Sequence, residues 1–393
     1  SGRETAELRR WLRGSETRGA GRARGLKRRI EDLLTVEEGV SALDDVLRGA
    51  GILPGEGWRQ RIAEGGARGA AEAFLAAVRG QVYARATGVD GPFDIECDIS
   101  ELPPELFEAA ANLADGLSRL SQPLKALRES LLARLDDEAD SLETATRQRI
   151  ESMVRSLQYR GEDVVLAWRS MLESLATETP ERFVDWFSVQ RYAGRDVDVG
   201  MQRHWLDPTQ PFAEVVVGGA HGVLVTSATL RDGTGNPEAD WAAAEVRTGS
   251  PHLTSPAVRA AVPSPFDYAA MTRVFVVNDV RKDDLNQVAA AYRELFLSSG
   301  GGALGLFTAI SRLRAVHGRL VEPLDQAGLP LFSQHVDGLN LPTLVDIFRA
   351  EEDACLLGTD AVRDGVDVPG HSLRLIAFDR VAWPRPTILH RAR

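Results

Sequence analysis

The apolar residues Leu113, Leu117, Leu120, Leu124, Leu127, Leu131 and Leu135 recur in alternating steps of four and three. That spacing paints one stripe along a long helix. A second periodic stretch carries Ile150, Met153, Val154 and Leu157. Two amphipathic helices so close in sequence most simply bury their stripes together, as an antiparallel hairpin or part of a small bundle. The glycine-rich, polar piece at 51–69 reads as a loop or short-helix connection. Up to about residue 205, then, the chain is predicted to be helical.

Beyond Pro211 the texture changes to short apolar runs separated by helical patterns. Predicted strands are 213–217, 222–226, 273–278, 303–307, 330–334, 355–358 and 373–378. Between them, 285–297, 311–324 and 341–350 have helix length and periodicity. Strands rich in Val, Leu and Ile that alternate with helices imply a parallel sheet covered on both faces. The second half is therefore predicted to be α/β, and from about Met271 it has the content of one nucleotide-binding-type domain.

The 393 residues are 44% hydrophobic and 26% charged, the balance of a globular chain of two or three domains rather than a disordered one. Cys97 and Cys355 lie far apart with no C-x-x-C partner, so neither a disulfide framework nor a zinc site is predicted. The opening residues are charged, unlike a signal peptide, and the longest uncharged run, 215–230, is broken by Gly218, Gly219, His221 and Gly222. It is shorter than the ~20 apolar residues of a membrane span. A cytoplasmic protein is expected. The formal net charge of -11 argues against a surface that coats nucleic acid everywhere, yet allows a local track. Within the first thirty residues, Arg3, Arg9, Arg10, Arg13, Arg18, Arg22, Arg24, Lys27, Arg28 and Arg29 face only Glu4, Glu7 and Glu16. This excess reads either as a solvated helix face or as a phosphate-contacting patch.

Chemistry concentrates at strand ends, where ligands of open α/β sheets sit. The run 222–225 leads into Thr226-Ser227-Ala228-Thr229-Leu230. The run 355–358 leads into Thr359-Asp360-Ala361-Val362-Arg363-Asp364-Gly365-Val366-Asp367-Val368-Pro369-Gly370, whose glycines suit close approach of backbone to phosphate or ribose. In the same order along the chain come Ser264-Pro265-Phe266-Asp267-Tyr268, then Leu306-Phe307-Thr308-Ala309, and last Trp383-Pro384-Arg385-Pro386. Asp137-Glu138-Ala139-Asp140 spells an acidic metal-binding box, but it lies on a charged helical stretch instead of ending a buried strand. No G-x-x-x-x-G-K-[ST] phosphate loop occurs, nor any Gly-Lys pair. The histidines show no paired metal spacing.

These pieces resemble superfamily-two helicases of the DinG/XPD type. The segment Thr226 to Thr229 is similar to motif III, which in that family couples the nucleotide site to the nucleic-acid track. The glycine-rich run with Gly358, Thr359, Asp364, Gly365 and Asp367 is similar to motif V. Thr308 falls in the counterpart of motif IV, Ser264 to Phe266 in the junction between motor domains, and Trp383 to Pro386 in the proline segment after motif V. Arg363 and Asp364 stand where many DinG-like sequences have an aromatic residue and a glutamate, a departure toward DEAD-box wording. The resemblance implies an arch-like helical domain at 1–205, the tail of a first RecA-like α/β motor domain at 206–270, and at 271–393 a second one that stops before motif VI.

By the same resemblance the intact enzyme is an ATP-dependent DNA helicase using ATP and Mg²⁺, with single-stranded or forked DNA as partner. Thr308 is a candidate DNA contact, Asp367 a candidate ribose or loop partner, and Thr359 a neighbour of the strand backbone; the N-terminal charge excess, and not the resemblance, adds Arg9, Arg10 and Arg13 as candidate DNA contacts. The family's iron–sulfur cysteines lie upstream of motif II, so no cluster is assigned. Without a phosphate loop, the chain alone is expected to lack ATPase activity. The alternative is a helical interaction module fused to a nucleotide-binding-like domain that never hydrolyses anything.

Overall fold

The computed structural model describes residues 1–15, 25–192, 194–363, 367–381 and 386–393. The leucine stripe does form one long helix. In the N-terminal region α1 (Gly2–Arg13), α2 (Glu37–Gly49), α3 (Gly69–Arg85), α4 (Pro104–Asp137), α5 (Thr144–Ser156) and α6 (Val164–Glu173) are the principal helices. With 34 residues, α4 spans about 50 Å at 1.5 Å per residue. Its Leu113, Leu117, Leu120, Leu124, Leu127 and Leu131 are all buried, packed by α2, α3 and α6. Between α5 and α6 the helix widens into π turns at Leu157–Asp163, where Gly161 comes so near that a Cβ on it would lie 3.1 Å from Leu124 Cδ2.

The helical expectation for 1–205 holds in outline and needs one addition. Strands β1 (Ile95–Asp98), β2 (Phe183–Tyr192) and β3 (Arg195–Trp205) form an antiparallel sheet in the order β1-β2-β3, which packs on α3. β2 is rich in Phe, Val and Trp, residues that favour a half-buried pleated surface. Its Phe183 meets Trp205 across the ladder with ring centroids 4.7 Å apart.

Three predicted strands are corrected. Ala213–Val217 is a π-helical turn, and neither 222–226 nor 273–278 is a strand. These segments leave Leu224 88%, Val274 85% and Val276 86% exposed. A strand exists only when a neighbour takes up its backbone N–H and C=O groups, and among the described residues no strand pairs with these runs. Between them lie α7 (Pro237–Thr248), capped by Asn236, and a single helical turn at Tyr268–Met271.

The remaining elements obey the prediction closely. Helices α8 (Leu285–Ser299), α9 (Ile310–Gln326) and α10 (Leu341–Ala350) alternate with β4 (Ala303–Leu306), β5 (Leu331–Ser333), β6 (Cys355–Gly358) and β7 (Leu375–Phe378). The four strands are parallel, in the order β5-β6-β4-β7. Both central strands, β4 and β6, are buried along their whole length. Alternate residues feed two cores: Ala303, Cys355 and Leu357 meet α8 and α9, whereas Leu304, Leu306 and Leu356 meet α10. This is the α/β sandwich of a RecA-like domain. By contacts the chain divides into two compact units, residues 1–259 with 386–393 and residues 260–385.

Candidate nucleic-acid interface

Parallel strands that end at one edge bring the residues following them together. The ladder runs one residue past each strand end here: Gln334 N–H donates to Leu357 O, Phe307 N–H to Gly358 O and Asp379 N–H to Leu306 O, each at 2.9 Å. Along the carboxyl edge this sets Gln334 and His335 beyond β5, Thr359 beyond β6, Thr308 beyond β4 and Asp379 beyond β7. Gly358 lets β6 pass into the short helix Asp360–Arg363, since a Cβ there would lie 2.4 Å from Val362 Cγ2.

Thr359 is held by its neighbour strand. Its N–H and its hydroxyl both donate to Gln334 Oε1, each at 2.9 Å. His335 Nε2 lies 3.4 Å from Thr359 Oγ1. His335 has φ 67, a left-handed conformation rare for a residue with a side chain. Two features hold it: Arg314 donates from Nε and an Nη to the His335 carbonyl at 3.3 and 3.1 Å, and Ser333 N–H donates to Asp337 Oδ2 at 2.7 Å within the same turn.

At the far side, the Asp379 side chain is buried and accepts from Arg312 Nε at 2.7 Å and from an Arg312 Nη at 2.6 Å. The hydrogen bond to Asp379 raises the Arg312 pKa, keeping the guanidinium charged. Tyr292 bridges β4 and β7 from below, its hydroxyl donating to Ala377 O at 3.1 Å, and burial pushes its pKa well up. Burial also pushes the Cys355 thiol up to about 12, so this cysteine is a core residue and no nucleophile.

The other predicted positions fall as follows. Thr308 is exposed at the edge. Asp367 is exposed, and its carbonyl accepts from Arg349 at 2.8 and 3.1 Å, while Val368 anchors the turn in the core. Asp364 and Gly365 lie outside the described residues, as do Trp383, Pro384, Arg385, Arg18, Arg22 and Arg24. Thr226, Ser227, Ala228 and Thr229 are exposed and follow no strand; Thr229 N–H donates to Ser227 Oγ at 3.1 Å in a local turn. Arg9 donates to Leu53 O at 2.6 Å and Arg13 to Leu47 O at 2.8 Å, so both engage carbonyls at or just after the end of α2. Arg10 lines, with Arg9, Trp58 and Arg59, a cavity of about 390 Å³. The acidic box ends α4 on the surface, and among the described residues no three His, Cys, Asp or Glu side chains gather as a metal site. Gln334, His335, Arg312 and Asp379 were not singled out from sequence. Gln334 and Asp379 end or directly follow predicted strands, so the strand-end rule that flagged Thr359 marks them too.

Residues 292–393 match the family model described as the helicase C-terminal domain, a stretch that includes β4 to β7. This segment is a helicase C-terminal domain of the DinG type. The chain is 40% identical over 93 residues to the ATP-dependent helicase DinG of Mycobacterium tuberculosis (strain ATCC 25618 / H37Rv), which is 24% of this chain and 13% of that protein. The Mycobacterium bovis protein of the same name matches equally. The 3'-5' exonuclease DinG of Bacillus subtilis (strain 168) is 27% identical over 188 residues, 46% of this chain and 19% of that protein. The chain thus spans less than a fifth of the length of these relatives. Among the described residues no helix is long and apolar enough to cross a membrane.

Proposed function

We propose that this chain is part of an ATP-dependent DNA helicase, and that the carboxyl edge of its four-stranded sheet is a stretch of the track on which single-stranded DNA moves. The observation that carries the reading is the set of small hydrogen-bonding groups that four adjacent strands deliver to one edge: Gln334, His335, Thr359, Thr308 and the Arg312–Asp379 pair. Hydroxyl, amide and backbone donors of this kind position a phosphate backbone without reading sequence. Residues 1–205 then correspond to the arch, 206–270 to the tail of the first motor domain and 271–393 to the second. On this reading Thr226 to Thr229 couple to the nucleotide side, and the protein acts in the cytoplasm.

ATP and Mg²⁺ belong to the enzyme of which this chain is part. The groups present here do not make a triphosphate cradle by themselves: the tight turn at Gly358 brings no lysine, and the described carboxylates form no metal cluster. The chain's own contribution is to the strand. A fluorescence titration against labelled oligo-dT tests the proposal. Binding is expected, weakening steeply between about 50 and 200 mM salt as counterion release requires, while phosphate release stays at the buffer level. Affinity indifferent to salt, absence of binding, or steady ATP turnover by this chain would each overturn it.

A further inference from the structure

The orientation of the Gln334 amide is fixed by chemistry. Thr359 N–H can only donate, so the atom 2.9 Å away must be the amide oxygen. The same oxygen accepts the Thr359 hydroxyl, which means that this hydroxyl's proton is spent inside the protein. Two anchors on one oxygen leave the Gln334 NH₂ group facing away from Thr359. That nitrogen is not among the buried polar side-chain atoms lacking a partner, and among the described residues no acceptor takes its two N–H bonds. Donors are therefore held rigidly at the sheet edge with nothing in the described protein to receive them. Beside them, Arg314 holds the left-handed His335 by its carbonyl, leaving an exposed imidazole within 3.4 Å of Thr359 Oγ1.

We infer that Gln334 is a nucleic-acid-binding residue: its anchored amide presents two N–H donors to a backbone phosphate of single-stranded DNA, and Thr359 serves to aim it. This rests on the sheet edge being the track proposed above. The roles usual for a threonine at a strand end are thereby exchanged. Thr359, its proton already engaged, is the positioning residue, and the side chain on the adjacent strand makes the contact. Holding the amide in one rotamer before binding removes an entropy cost that a free glutamine would meet.

Gln334→Glu separates aiming from contact, because a carboxylate oxygen accepts both Thr359 donors as before while the NH₂ donors are lost. With labelled oligo-dT near physiological salt, the variant is expected to bind at least roughly tenfold more weakly, the order expected for losing a hydrogen bond to a charged group. Screening beyond about 8 Å confines any added repulsion to phosphates close to this side chain. The Thr359 amide, followed by hydrogen exchange, is expected to stay as protected as in the unaltered protein. Thr359→Val removes the hydroxyl anchor and is expected to weaken binding severalfold, with little further loss when combined with Gln334→Met, since both act through one amide. If the unaltered chain binds DNA and both Gln334→Glu and Thr359→Val bind it within twofold as well, Gln334 is no contact, although the track proposal stands. If the unaltered chain does not bind, the track proposal fails and this inference with it.

Discussion

Among single residues, the contrast between two arginines near the end of β7 separates burial from mere pairing. Arg312 grips Asp379, whose side chain is 0% exposed, whereas Arg380 pairs with Asp283, which is 80% exposed. Removing a partner from a buried pair strands a charge in low dielectric, at a cost of about 3–5 kcal/mol. Exposed pairs contribute about 0–1 kcal/mol because water and salt screen them. Arg312→Ala is therefore expected to lower the urea midpoint far more than Arg380→Ala does. Equal shifts would show that Asp379 is solvated. Sequence could not announce this pair, since its members stand 67 positions apart. Gln334 and Thr359, 25 apart, were no more visible as a couple, even though each lay at the end of a predicted strand.

At the scale of elements, α4 is where local pattern and tertiary need agree most fully. Its stripe was legible because a period near 3.6 keeps every member on one face, and the surrounding helices bury that face completely at Leu120, Leu124, Leu127 and Leu131. Leu124→Asp is expected to destabilise the N-terminal unit by ~2–5 kcal/mol, the range for disrupting a packed core position and burying a charge. Unchanged thermal melting would mean that the stripe is not a core. The antiparallel strands β2 and β3 were missed for the opposite reason, since a hairpin within a helical region depends on partners rather than on a repeat. Runs such as 222–226 and 273–278 fail in reverse: their β-branched content suits a strand, but a strand is a pairwise structure.

For the molecule as a whole, the apolar yet unpacked segments should govern how the chain breaks. Residues 253–280 are exposed almost throughout, Val258 at 98%, and include Phe275 and Tyr268, whereas α8 to α10 and the sheet beside them enclose continuous cores. Local stability follows buried contacts and backbone pairing. Limited chymotrypsin digestion read by mass spectrometry is expected to cut first at Leu224, Tyr268, Phe275 or their neighbours, leaving 285–381 intact. First cuts within α4 or β4 would contradict that order.

Repetition and composition along the chain sufficed for the long amphipathic helix, the α/β alternation after residue 285, the ends of β6 and α10, and the resemblance that the helicase C-terminal match over 292–393 bears out. Such features depend on neighbours within a few positions, which a pattern along the chain records directly. Packing between distant segments settles which apolar runs find a sheet, which arginines bind carbonyls instead of solvent, and that the Thr359 hydroxyl donates its hydrogen bond to Gln334 Oε1. Those outcomes turn on donors and acceptors meeting across 25 or more residues, and an unpaired polar group costs too much to be left to local preference.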